Sequence, residues 1–416
     1  MKTSIQDNLL QTHAGQRAEE ILRKCVHCGF CNATCPTYQE LNDERDGPRG
    51  RIYLIKSMLE GQEVTDKTQR HLDRCLTCRS CETTCPSGVE YSKLLDIGKE
   101  HIEKQLPRPF KDRIIRYLLT RLLPHRTLVS LGYRILLRMK PLLPAAYQSK
   151  LVDQKTETDK RKNLSNKHTT RTMIGFQGCV QSSLTPETLR AATHVLNHLG
   201  INLISVKKEG CCGALNLHLA ERERAIKQAK DNINAWWPYI ENGAEAIVIS
   251  ASGCGVSIKD YPSLFLGDEH YSLKAKKVAS LAKDLSEVLN NEDIESLPLT
   301  PMDARVAVHC PCTLQHGLKL KNTYGGVFSR LGVNTVKTSE EHLCCGSAGT
   351  YSLLQPQLSS QLKVRKLKAL TQEAPDMILT ANIGCQLHLN TDSQTPVKHW
   401  IEMISERLQD NSIHDR

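Results

Sequence analysis

Apolar positions along the chain fall into three regimes. Up to about residue 105 they recur at helical spacing in short segments: Gln16 to Lys24 (QRAEEILRK), Arg49 to Leu59 (RGRIYLIKSML), Thr65 to Arg74 (TDKTQRHLDR) and Tyr91 to about Gln105, with Pro107 and Pro109 ending the last. Past residue 171 the pattern changes to short apolar runs that read as buried strands. TMIGF (172–176), NLISV (202–206) and AIVIS (246–250) come first; RVAVH (305–309), VNTVK (333–337) and DMILT (376–380) repeat the series. Helical segments such as Pro186 to Leu199 separate them, and that alternation predicts parallel sheets.

The third regime lies between. From Arg108 to Lys140, arginine and lysine alternate with Ile114, Ile115, Leu118, Leu119, Leu122 and Leu123, against Asp112 as the one acidic residue. Such a cationic amphipathic pattern suits an anionic membrane surface, an acidic partner, or a linker packing its leucines on the protein's own core. Asp153 to Arg171 is polar, charged and nearly free of apolar residues, and reads as an exposed linker.

Cysteines bring the chemistry. The motif C-x-x-C-x-x-C-x-x-x-C-P occurs twice, at Cys25, Cys28, Cys31, Cys35 and Pro36, and at Cys75, Cys78, Cys81, Cys85 and Pro86. Three thiolates at this spacing cap one face of an iron-sulfur cube, while the fourth is displaced and ligates the other cluster, as in bacterial two-cluster ferredoxins. One expected [4Fe-4S] cluster therefore takes Cys25, Cys28, Cys31 and Cys85, and the second takes Cys75, Cys78, Cys81 and Cys35. Structural zinc competes, but it usually uses paired C-x-x-C knuckles. The helical insert between the two motifs favours an all-α ferredoxin over one built on strands.

A second cysteine system repeats in the other half. Cys179 is followed after 31 residues by Cys211-Cys212-Gly213 and later by Cys254; Cys312 is followed after 31 residues by Cys344-Cys345-Gly346 and later by Cys385. Each motif follows a predicted strand, and ligands in parallel sheets gather outside the carboxyl ends of strands, so three motifs should converge on one site per repeat. The glycines after the paired cysteines would permit the tight turn. Cys179, Cys211, Cys212 and Cys254 form one candidate further metal site, and Cys312, Cys344, Cys345 and Cys385 another. Cys310 reads as a small buried residue at a strand end, His388 as a hydrogen-bonded loop histidine, and Trp236-Trp237 as core or interface anchoring.

Composition narrows the class. The 416 residues allow several domains, and an odd count of 17 cysteines with no apolar leader at the start argues against a disulfide framework and for a reducing compartment, hence a cytoplasmic location. No run of eighteen apolar residues exists to span a bilayer. The net charge of +10 is concentrated in the basic segment, and no nucleic-acid-binding pattern accompanies it, so a DNA-binding sensor is poorly supported and no nucleic-acid partner is expected. No G-x-G-x-x-G fingerprint occurs, so an FAD or dinucleotide site of that type is not visible.

The tandem Cys-Cys-Gly repeat resembles the CCG-domain family, which includes subunits of heterodisulfide reductase, anaerobic glycerol-3-phosphate dehydrogenase and lactate-utilisation systems. CVHCGFCNATCPTYQE, DERDGPRGRIYLIK, HLDRCLTCRSCETTCPSGV, HCPCTLQH and LCCGSAGTY together resemble its glycolate oxidase iron-sulfur branch over essentially the full length. The resemblance implies an electron-transfer subunit of a complex oxidising glycolate to glyoxylate, with FAD on partner flavoprotein subunits and no substrate-reacting residue on this chain. The acceptor would be respiratory, with peripheral contact to the inner face of the cell membrane and its quinone pool. D-lactate and glycerol 3-phosphate are alternative substrates. A thiol-disulfide reductase with a CCG-bound cluster as active site is the competing class; heterodisulfide reductase relatives carry a fifth cysteine, where this chain has Ser257 and His388. The expected fold is multi-domain α and α/β: an all-α ferredoxin-like two-cluster domain (1–106), a basic amphipathic segment and linker (107–171), and two tandem α/β CCG domains (172–300 and 301–416).

Overall fold

The computed structural model describes residues 1–140 and 171–409. The polar linker expected over 153–171 lies, except for Arg171, outside the described residues, as do residues 410–416 of the expected last domain.

Among described residues up to 140 the chain is helical throughout. His13–Lys24, Pro48–Leu59, Asp66–Asp73 and Tyr91–Gln105 appear within a few residues of their predicted bounds. Local signals set their starts: Thr12 and Thr65 accept hydrogen bonds from Gly15 N and Thr68 N as caps, and Pro48 occupies the first turn of its helix. Ile21, Leu22, Ile55, Leu59, Leu72, Leu94 and Leu95 form the shared core. Gly98 permits a close helix approach, since a Cβ there would lie 2.8 Å from Ile55.

The second half holds two four-stranded parallel sheets. The first contains β1 (Arg171–Phe176), β2 (Ile201–Ile204), β3 (Ile247–Ile249) and β4 (Ala282–Asp284), in the order β2-β1-β3-β4. The second contains β5 (Val306–His309), β6 (Thr335–Val336), β7 (Met377–Thr380) and β8 (Val397–His399), in the order β6-β5-β7-β8. All six expected strands exist, although VNTVK keeps only two residues. The fourth strand of each sheet, AKD and VKH, escaped the periodicity because three residues with a central lysine carry no apolar run. A continuous core joins the repeats: Val195 and Leu196 of helix Pro186–His198 belong to the same buried cluster as Ile401 and Ile404 of helix Trp400–Arg407.

The basic segment forms two helices, Phe110–Leu122 and Arg126–Arg138, on either side of the buried Pro124. Several of its arginines serve the fold: Arg108 and Arg116 pair with Asp73, and Arg126 pairs with the buried Glu209 at 3.0 Å. Its apolar side is not packed away as the own-core reading required. Phe110, Ile114, Leu118, Leu122, Leu131 and Ile135 are exposed, while Ile115, Leu119 and Leu123 are half-buried. No described helix is long and apolar enough to cross a membrane.

Asp284 ends β4 and caps the next helix, accepting a hydrogen bond from Ser286 N at 2.9 Å while its Oδ2 finds no partner. Burial pushes its carboxyl up from 3.8 to about 7. The folded state thus holds the proton more tightly than the unfolded chain. This group's contribution falls as pH rises from about 4 to about 7 and is level above that. Asp284→Asn keeps a cap acceptor and removes the buried charge. It should be more stable than the parent near pH 8, by up to about 4 kcal/mol, with the gap closing towards pH 5 in urea melts.

Candidate metal centres

The two cysteine loops of the ferredoxin part have matching backbones. His27 and Gly29 in the first, and Thr77 and Arg79 in the second, take positive φ (61°, 85°, 53° and 62°), so each loop curls around its cysteines. Short helices Phe30–Ala33 and Ser80–Thr84 then carry the third cysteine of each motif, and Pro36 opens the helix after Cys35. Thr34 and Thr84, at equivalent places, meet hydroxyl to hydroxyl at 3.1 Å.

That pairing exchanges the fourth cysteines. One cavity of about 430 Å³ is lined by Cys25, Cys28, Cys31 and Cys85; another of about 370 Å³ is lined by Cys35, Cys75 and Cys78, and Cys81 borders both. Burial raises the Cys31 thiol to about 11 and holds Cys78 and Cys81 well above their ordinary value. Such thiols ionise when a metal takes the proton's place. Cys28 is exposed, beside exposed Val26 and Phe30 and with exposed Tyr53 stacked on His27, whereas Cys78 is half-buried against the second repeat.

Beneath the second cavity lies a buried ionic network from the stretch DERDGPRGR. Asp46 and Arg51 are 0% and 1% exposed. Arg51 donates to Thr37 Oγ1 (3.1 Å), to the His71 carbonyl (2.7 Å) and to Asp46 (3.4 Å); His71 Nδ1 and Arg74 complete the set around Asp46 at 3.0 and 2.8 Å. Thr37 in turn lies 3.3 Å from Cys35 Sγ. Asp43, Asp46 and His71 come close enough together to resemble a metal site. Their oxygens are engaged by Arg45, Arg51 and Arg74, so cations of the chain already fill that role.

Each Cys-Cys-Gly repeat gathers its four cysteines outside the carboxyl ends of its strands. In the first, Cys179 Sγ lies 3.5 Å from Cys211 Sγ, and Cys212 accepts hydrogen bonds from the thiols of Cys211 and Cys254. Those bonds hold the Cys211 and Cys254 protons in place and leave Cys212 as the thiol that ionises first. In the second, Cys312 and Cys344 Sγ are 3.7 Å apart, and Cys345 is hydrogen-bonded to both Cys344 and Cys385. Gly213 and Gly346 have φ of +89° and +88°; a Cβ at Gly346 would lie 2.6 Å from the Ser359 carbonyl. Sulfur atoms this close match a thiolate set around a tetrahedral metal with bonds of about 2.3 Å.

The flanking residues divide differently from expectation. His388 sits on helix Ile383–Asn390 and not in a loop, and its Nε2 faces Ser359 Oγ at 3.2 Å. Ser257 donates to the Cys212 carbonyl. Cys310 is half-buried at the end of β5 and joins the hydrophobic core. Trp236 is fully buried and donates to Glu209 at 2.9 Å, while Trp237 donates to Glu241 at 2.8 Å. His309, absent from the sequence-derived ligand sets, lies with Cys345 and Cys385 such that their donor atoms fall within 4.8 Å of one another. The signal was available in HCPC, since a polar residue ends a strand whose counterpart in the first repeat ends on Phe176.

The ferredoxin part docks on the second repeat next to its cysteines. Leu76, Cys344, Tyr351, Leu358 and Leu362 form one apolar cluster with Cys78 and Cys312 packed against it. Tyr351 OH donates to the Arg74 carbonyl at 3.1 Å, and Arg365 pairs with Glu40 at 2.8 Å. The first repeat is tied in by the ion pair of Arg79 with Asp260.

Residues 21–89 match the family model of a 4Fe-4S dicluster domain, and residues 174–259 and 306–390 match that of a cysteine-rich domain. The chain is 47% identical over 409 residues to the glycolate oxidase iron-sulfur subunit of Escherichia coli, covering 98% of this chain and 100% of that protein. It is 29% identical over 421 residues to a probable glycolate oxidase iron-sulfur subunit of Bacillus subtilis, covering 94% and 93%. Lactate utilization protein A of Exiguobacterium is 25% identical over 245 residues, covering 56% of this chain and 97% of its own.

Removing the cation beneath the second cavity should cost the fold heavily. Arg51→Ala leaves Asp46 buried with one guanidinium fewer, and denaturant melts should show a loss of about 3–5 kcal/mol. An unchanged midpoint would mean that His71 and Arg74 alone balance Asp46.

Proposed function

Because the chain belongs to the family of glycolate oxidase iron-sulfur subunits, we propose that it carries electrons within a flavin-dependent complex oxidising glycolate to glyoxylate. The observation that carries this reading is the pair of crossed four-cysteine cavities, with one cysteine end exposed and the other set against a second cysteine system. Cys25, Cys28, Cys31 and Cys85 hold one [4Fe-4S] cluster, and Cys75, Cys78, Cys81 and Cys35 hold the other. Such clusters take up and release one electron at a time. Arg51, buried beside Cys75 and Cys35, offsets the negative charge that four thiolates bring.

The four cysteines of each repeat hold a further metal centre; the close approach of their sulfurs supports it. Glycolate itself reacts on partner flavoprotein subunits carrying FAD, since this chain lacks a dinucleotide fingerprint. Exposed Val26 and Phe30 beside Cys28, with exposed Tyr53 stacked on the adjacent His27, suit approach of an electron donor. Glycolate is preferred over other 2-hydroxy acids because the relatives sharing nearly the whole chain carry its name, while the lactate-named relative shares only 56%.

In the reconstituted complex, Cys78→Ser should reduce glycolate-dependent quinone reduction to background while the flavin subunits stay assembled and loaded. Undiminished quinone reduction would remove Cys78 from the electron path.

The helices Phe110–Leu122 and Arg126–Arg138 give the protein a peripheral seat on an anionic membrane. Exposed apolar residues interleaved with arginines support this reading. The chain should float with vesicles containing phosphatidylglycerol at low salt, and Leu118→Gln with Leu131→Gln should abolish flotation without changing iron content. Equal flotation of parent and variant would place the contact elsewhere.

A further inference from the structure

We propose that Nε2 of His309 is a ligand of the metal centre in the second repeat, making it a mixed thiolate–imidazole site for a thiophilic transition metal. The proposal rests on the reading that the repeat cysteines hold metal, and it names a donor outside that cysteine set.

His309 ends β5 with its side chain 2% exposed. Its Nδ1 is paired with Thr380 Oγ1 at 2.9 Å, across the register in which His309 and Thr380 face each other on β5 and β7. Its Nε2 is buried and has no hydrogen-bond partner. An unpartnered polar atom in a dry interior is costly, and native proteins seldom keep one without a use. Here the ring stands beside the sulfurs of Cys345 and Cys385. A ligating imidazole characteristically gives its other N–H to an oxygen, which selects the tautomer and aims the lone pair at the metal; Thr380 is placed for that role.

The first repeat supplies an internal comparison. At the same strand ends it has Phe176 facing Ile249, and Phe176 packs edge-on against Trp236 with ring centroids 5.6 Å apart. The polar pair His309 and Thr380 therefore replaces an apolar pair in an otherwise equivalent frame. Structural demand alone would be met by the apolar version. His388, the other histidine near the second set of cysteines, is occupied with Ser359 at 3.2 Å.

Binding requires no redox change: the cysteines release their thiol protons, while His309 keeps its proton on Nδ1 and donates the Nε2 lone pair.

The test uses the full chain, purified without oxygen, with iron, zinc and acid-labile sulfide counted per chain. Histidine is supplied as the ¹⁵N form, and pulsed EPR is recorded on the reduced iron centres, or after cobalt(II) exchange where the site holds zinc. A strongly coupled histidine nitrogen is expected in the parent, lost in His309→Phe and retained in His388→Gln. Thr380→Val should keep the coupling with altered strength. Sulfide with iron would identify a cluster, and zinc without sulfide a single ion. Coupling that survives His309→Phe, or is absent from a parent whose second repeat holds metal, overturns the ligand assignment alone. A metal count accounted for entirely by the ferredoxin part and the first repeat overturns both it and the reading beneath it. Should His309→Phe fail to fold, judged by lost ferredoxin signals, presence or absence of coupling in parent and His388→Gln decides.

Discussion

The exchange of fourth cysteines between two loops is the constraint on which the ferredoxin part depends. Neither cavity has its full sulfur lining unless Cys35 reaches the second loop and Cys85 reaches the first. The helices between the motifs serve that exchange. Pro36 starts a helix directly after Cys35, and the Asp46–Arg51–His71–Arg74 network ties the following stretch to helix Asp66–Asp73 just ahead of Cys75. A buried charge network is weak support for stability in general, yet it fixes a register well, because every member is left uncompensated if one moves. Here it links the backbone near Cys35 to the backbone near Cys75 through a single hydrogen-bonded chain.

The two repeats solve a different problem with one frame. In a β2-β1-β3-β4 sheet the chain leaves β1 and β3 in opposite lateral directions, and the crevice between their ends is where ligands sit. Cys179 follows β1 and Cys254 follows β3, with Cys211 and Cys212 arriving from the turn after β2. Left-handed Gly213 and Gly346 let adjacent cysteines turn into the same crevice. Against that shared frame the repeats differ in polarity at the strand ends, Phe176 with Ile249 in one and His309 with Thr380 in the other.

Packing then makes one object of parts that could have been separate modules. The repeats share a core through helices Pro186–His198 and Trp400–Arg407, and the ferredoxin part presses Leu76 and Cys78 against Cys312 and Cys344. The molecule is therefore asymmetric with respect to its sulfur: Cys28 opens to solvent beside exposed apolar residues, and Cys78 is half-buried against the second repeat.

Much of this was legible in the sequence, for reasons that lie in local geometry. Cysteine spacing limits which thiols one loop can aim at one centre, so a crossed assignment is the sequence's expectation, and the lining of the two cavities, Cys85 in one and Cys35 in the other, is compatible with it. Apolar periodicity recovered the helices and the six strands long enough to bury a run of Val, Ile or Leu. It missed β4 and β8, whose AKD and VKH owe their strand form to hydrogen bonding with β3 and β7 and not to their own side chains. It also treated His309 as one letter of a motif, because burial, an unpartnered Nε2 and nearness to Cys345 and Cys385 arise only when β5 and β7 pair and the turn after β6 folds over them. The contact of Cys78 with the second repeat is of the same kind. No spacing rule relates residues so far apart in the chain; the apolar seal around Leu76, Tyr351 and Leu358 brings them together, and that is a property of tertiary packing alone.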